Sequence, residues 1–168
     1  MGWDPPRHLP FAAGLSLIVA AIGLVAPWWT LRADAGSSGI AASVSPFDPG
    51  PLDSVVNGAA VVAVGVLTFV GLVGGLVLRF QGENTEMAST AGWLWMASGG
   101  FLLVAPLTAV LTWPAEDLSF WGSASAAGAS FSAAADWGWY LTLVAGAIAA
   151  VTGMAWLLIQ ERYSLEHR

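Results

Sequence analysis

The chain has 168 residues, 57% hydrophobic and only 10% charged, with 5 basic and 11 acidic side chains and a net charge of -6. A soluble domain carries about 25% charged residues, so this composition excludes one. It also excludes a disordered chain and a nucleic-acid binder, which needs a clustered basic face. The absence of cysteine removes disulfides, thiolate metal sites, iron–sulfur clusters and cysteine nucleophiles. A membrane protein remains.

A hydrocarbon core of about 30 Å needs roughly 20 apolar helical residues, and four runs meet that length. They cover residues 9–27, 55–78, 92–113 and 137–159. None has an Asp, Glu, Lys, Arg or His inside its core, and each is apolar all the way round, as expected when lipid is the solvent. The expected fold is an all-α integral membrane domain covering residues 1–168, a four-span antiparallel helical bundle. Outer loops are expected over 28–54 and 114–136.

The five basic residues are all arginines and set the orientation. Arg7, Arg79, Arg162 and Arg168 share one side and Arg32 lies on the other. The positive-inside rule then puts both termini in the cytoplasm of a plasma-membrane protein. Tryptophans flank the runs at both ends: Trp28, Trp29, Trp113, Trp137 and Trp139 outside, Trp93, Trp95 and Trp156 inside. That distribution is an interfacial aromatic belt. Arg7, the first apolar run and Ala33-Asp34-Ala35 have the order of a secretory signal with a small-residue cleavage site. The run is long for a signal core and Trp28-Trp29 intervenes, so it reads as a true first span.

The cytoplasmic pieces, 1–8, 79–91 and 160–168, are too short for a catalytic or nucleotide-binding domain. His8 and His167 sit at these edges as solvated side chains, far apart in sequence. The outer segments alternate over Gly39–Ser45 and Leu118–Ser123, a strand pattern. Gly36-Ser37-Ser38-Gly39 and Ala126-Ala127-Gly128 read as the turns, so two small hairpins, joined into one extracytoplasmic β cap, are expected. Pro46, Pro49 and Pro51 close the first strand region.

The two halves share a plan, and Leu24-Val25-Ala26-Pro27 recurs as Leu103-Val104-Ala105-Pro106. The first proline should end a helix, whereas Pro106 must lie inside one and kink it. With Trp28-Trp29 after the first span and a longer outer loop next, the plan resembles the claudin and peripheral-myelin type of four-span protein. The resemblance covers architecture alone, because that family's cysteine pair and Gly-Leu-Trp have no counterpart here. It implies a sheet formed by the first outer loop.

The polar residues within the runs are Ser16, Asn57, Thr68, Ser98, Thr108, Thr112, Thr142 and Thr152. Serine and threonine can bond a carbonyl of their own helix; the Asn57 amide should seek a neighbouring helix. A proton-coupled pump is not expected, since no ionisable group lies within a run. The outer acids Asp34, Asp48, Asp53, Glu116, Asp117 and Asp136 read as a solvated surface without calcium-loop spacing. No catalytic residue, cofactor or metal ligand is assigned.

Small residues four apart let helices approach closely in lipid. Gly71 with Gly75, Ala59 with Ala63, Gly146 with Ala150, Ala149 with Gly153, and Ala12-Ser16-Ala20 have that spacing. Trp28, Trp29, Trp121, Trp137 and Trp139 gather aromatic area at the outer rim, the residue type most enriched at binding hot spots. The expected role is non-enzymatic: a structural or accessory subunit whose partners are the bilayer and other membrane proteins or a second copy. The alternative is a channel or carrier for a small neutral or lipidic solute.

Overall fold

A computed structural model describes residues 8–35, 38–47, 58–81, 85–111 and 130–166. The described residues are mostly helical, with four helices long and apolar enough to cross a membrane and a three-stranded sheet. In order these are α1 (His8–Val25), β1 (Trp29–Ala35), β2 (Ser38–Val44), α2 (Gly58–Gln81), α3 (Thr85–Leu111), β3 (Ser130–Ala135) and α4 (Trp137–Glu166).

The apolar runs locate the helices, and polar flanks extend three of them. α2 continues to Gln81 rather than Leu78, α3 begins at Thr85 rather than Gly92, and α4 runs past Ile159 to Glu166. Most of the expected link 79–91 and tail 160–168 is therefore helix. Hydropathy stops where polar residues begin, but Glu86-Met87-Ala88 and Gln160-Glu161-Arg162 are good helix formers. α1 stops at Val25 because Pro27 donates no hydrogen bond and biases its predecessor away from helical angles. Pro106, the second copy of that motif's proline, is buried inside α3.

Neighbouring helices run antiparallel. Gly65 of α2 faces Leu24 of α1, Gly75 of α2 faces Ala91 and Trp95 of α3, Gly99 of α3 faces Gly146 of α4, and Ser16 of α1 bonds Ala145 of α4. The helices form a ring in chain order. α4 packs extensively on α3 and α1, α2 packs on α3, and α1 meets α2 only thinly. Leu72, Trp95, Leu102 and Trp156 fill the interior together with Ala13, Ala20, Ala145 and Ala149. Large apolar side chains such as Phe11, Val70, Phe101, Val151 and Leu158 point outward.

The sheet follows from that ring. α1 and α4 are neighbours, so the strand leaving α1 and the strand entering α4 emerge side by side and antiparallel. β1 is the central strand, pairing Arg32 with Ala41 of β2 and with Ser132 of β3. Among the described residues the expected cap is one hairpin, β1–β2, joined by a strand of the second outer segment, β3, into one sheet. Ser38 and Gly39, expected in a turn, belong to β2, and Ala33-Asp34-Ala35 lies in β1. The second segment contributes Ser130–Ala135, a stretch whose alternation is hidden because Ala133, Ala134 and Ala135 are alike. The expected strand Leu118–Ser123, the turn at Ala126–Gly128, and Asn57 lie outside the described residues.

Three backbone bonds weld the sheet to the bundle. Trp28 N donates to Val44 O at 2.9 Å, Asp136 N to Trp28 O at 2.8 Å, and Gly138 N to Pro27 O at 2.9 Å.

Candidate functional site

The helix seams differ in what fills them. On α3 and α4, glycines seven apart face one another, Gly92 and Gly99 against Gly146 and Gly153. Seven residues are two turns, which keeps one side facing its neighbour. A Cβ at Gly153 would lie 2.5 Å from Met96 N and 2.6 Å from Gly92 O, and one at Gly146 would lie 2.9 Å from Leu103 N. A Cβ at Gly99 would run into the backbone nitrogen of Ala150 and come within 2.7 Å of Gly146 O. These obstacles are main chain and cannot rotate away. On the α2–α3 seam, Gly71 faces the Ser98 hydroxyl and Gly75 faces the Trp95 indole, with Ala91 O 3.2 Å from the position of an added Cβ.

Thus Gly71, Gly75, Gly146, Ala150 and Gly153 all lie at helix contacts, while Gly92 and Gly99 were missed. Pairs four apart within the run 92–113 pass over them, because Met96 stands four from Gly92 and Trp95 and Leu103 stand four from Gly99. Gly138 was missed as well: a Cβ there would meet Pro27 O at 2.5 Å, where α4 enters beneath the end of α1.

The polar groups of the helices turn inward. Ser16 Oγ donates across the α1–α4 seam to Ala145 O at 2.8 Å, and Thr142 Oγ1 bonds Gly138 O of its own helix at 2.9 Å. Thr68 Oγ1 and Trp95 Nε1 are buried and have no hydrogen-bond partner among the described residues. Asp136, expected as a solvated acid, is a junction: Oδ2 accepts from Thr30 Oγ1 at 2.6 Å and Oδ1 from Trp137 N at 2.7 Å. A carboxylate is favoured at that place, the N-terminus of α4.

The outer tryptophans divide. Trp28 and Trp29 are 1% and 5% exposed, stacked edge to face at 5.7 Å, so they form core beneath the sheet rather than an exposed rim. Trp28 Nε1 donates to Gly23 O at 2.8 Å, satisfying a carbonyl of α1's last turn. Trp139 is half-buried and donates to Pro106 O at 2.9 Å, while Trp137 is 51% exposed. Trp121 lies outside the described residues. At the opposite end Trp95 and Trp156 meet edge to face at 5.3 Å. Trp156 Nε1 donates to Ala88 O at 2.6 Å, and the Arg79 guanidinium lies 5.4 Å above the Trp156 ring.

Two clefts open sideways along the thin α1–α2 contact. The first, about 690 Å³, lies between the Pro10–Ile18 face of α1 and Leu76, Arg79 and Phe80 of α2. The second, about 350 Å³, is nearer the sheet, between Ala21, Leu24 and Val25 of α1 and Gly65, Val66 and Phe69 of α2, with Phe47 at its mouth. Among the described residues both are walled almost wholly by apolar side chains, and Arg79 is the charged one in the wall of the first. These residues had no distinctive sequence signal, because a cleft wall and a lipid-facing stripe have the same composition. Among the described residues no three His, Asp or Glu side chains gather closely enough to hold a metal ion.

Four long apolar helices and a small sheet define the class suggested here, a multi-pass membrane protein. No protein-family model matches the sequence, and comparison with curated proteins finds no match either.

Proposed function

We propose that the chain is a non-enzymatic, multi-pass protein of the plasma membrane with both termini cytoplasmic. Its role is that of a structural or accessory subunit, packing laterally against other membrane proteins or a second copy of itself. The filled interior carries this reading. Trp95, Trp156, Leu72 and Leu102 occupy the space a conduction path would need, and the buried hydroxyls of Ser16 and Thr142 are bonded to helix carbonyls. Polar groups spent in this way hold helices together; they do not line a route.

In this reading, recognition at the outer end falls to Trp137 with Tyr140, both about half exposed, and to Trp121. Trp28 and Trp29 serve it indirectly by supporting the sheet. Purification in mild detergent, with mass-spectrometric identification of what co-purifies, tests the reading. A stoichiometric membrane partner, or a dimer, lost in a Trp137→Ala/Tyr140→Ala variant of unchanged thermal stability is the expected result. A monodisperse monomer with no partner counts against it. Orientation is tested on intact cells with an impermeant thiol reagent: Ser38→Cys and Ser123→Cys should label and Gly82→Cys should not.

The lateral clefts favour one alternative, a carrier for a small neutral or lipidic solute. Solute uptake into reconstituted vesicles that is lost in Gly14→Trp would support it.

A further inference from the structure

We infer that the larger α1–α2 cleft seats an anionic phospholipid, with an acyl chain along α1 and the phosphate on Arg79. The inference rests on the membrane residence proposed above. Pro10 to Ile18 spans eight helical steps, about 12 Å at the helical rise. That is close to the half of a hydrocarbon core of about 30 Å that one leaflet provides. The volume of about 690 Å³ falls within the roughly 300–1,000 Å³ of pockets that bury small ligands. Gly14 opens the floor of the cleft, since an added Cβ there would meet nothing within 4 Å.

Arg79 supplies the headgroup chemistry. It lies in the last turn of α2, where the apolar run gives way to polar sequence, so the charge sits at interfacial depth. Its guanidinium rests over Trp156, and its buried Nε–H has no acceptor among the described residues. Cation–π attraction to an indole helps to hold a guanidinium in place, and a phosphate is an acceptor that suits its paired N–H groups. Among the described residues, the wall of the smaller cleft on the same contact carries no charged side chain, whereas Arg79 stands in the wall of the larger one.

A partner's transmembrane helix fits less well. Close helix approach needs a ridge of small residues, whereas Phe11, Leu15, Ile18 and Phe80 wall this cleft. Such a helix would also take the Arg79 charge out of water, which is costly unless the helix brings an acidic side chain to that end. A phospholipid supplies the acyl chain and the anion together.

The test uses the full chain in vesicles of equal phosphatidylcholine and phosphatidylglycerol, extracted gently and examined by native mass spectrometry. Retained phosphatidylglycerol should exceed phosphatidylcholine about fivefold, the effect of one interfacial cation on an anionic lipid. Arg79→Gln should equalise the two, Arg79→Lys should keep most of the preference, and Gly14→Trp should lower retention of both lipids. Equal retention by the unaltered chain overturns the inference, as does a preference that survives Arg79→Gln. A photoreactive residue replacing Leu15 should form lipid adducts in native membranes; a protein adduct there would make the cleft a helix seat instead. Membrane fractionation of the unaltered chain is scored separately, because its absence from membranes would bring down the membrane reading itself.

Discussion

The α3–α4 seam and the α1–α2 seam are built from similarly apolar helices, yet one is closed to backbone contact and the other gapes. Along α3–α4, glycines on both helices remove the side chains that would hold the backbones apart. Along α1–α2, Phe11, Leu15, Ile18 and Phe80 wall an open cleft and stay at least half exposed, and a Cβ at Gly14 would meet nothing within 4 Å. The difference is not hydrophobicity, which lipid supplies equally to every apolar surface. Shape decides: reciprocal glycines let dispersion contacts and hydrogen bonds accumulate, whereas unmatched bulky side chains leave a space that must be filled from outside.

Substitutions that push on the closed seam should have the largest effect. Gly99→Leu or Gly153→Leu drives a side chain into the facing main chain, and overpacking of this kind should cost about 3 kcal/mol or fold no stable protein. Circular dichroism during thermal unfolding in mild detergent reads the loss. The same substitution in the open seam, Gly14→Leu, should leave stability within about 0.5 kcal/mol. If both positions respond equally, the contrast between the seams collapses.

Next in size is the joint between α1 and the sheet. Trp28→Phe keeps most of the buried ring but strands Gly23 O in the core, at a cost of about 2 kcal/mol. A Trp28→Phe protein as stable as the parent would show that water reaches that carbonyl. Ser16→Ala should produce the smallest change, about 0.6 kcal/mol, since the hydroxyl's bond to Ala145 O is one contact among many on α1–α4. A much larger loss would mean that α1 is held by this bond rather than by Ala13 and Ala20 packing against α4, and it would move α1–α4 from the closed class toward the open one.

The number of helices, their approximate positions and the short connection between α2 and α3 were legible in composition and hydropathy alone, because an apolar run of that length has few other stable environments. Gly71, Gly75, Gly146, Ala150 and Gly153 were legible as candidates, since close approach demands small side chains wherever it occurs. Which neighbour each would meet was not, and neither was the part of Gly92 and Gly99, because a single sequence does not state which faces oppose. The tertiary structure decided three further things. It turned Trp28 and Trp29 into the core, where Trp28 reaches a carbonyl of α1 that its position at a span end could not announce. It drew β3 beside β1, because α1 and α4 are neighbours in the ring and a strand's partner is set by where the helices deliver it. And it left α1 and α2 apart, placing Arg79 at one end of an apolar cleft, since whether two greasy faces meet depends on the fit of their side chains and not on how greasy they are.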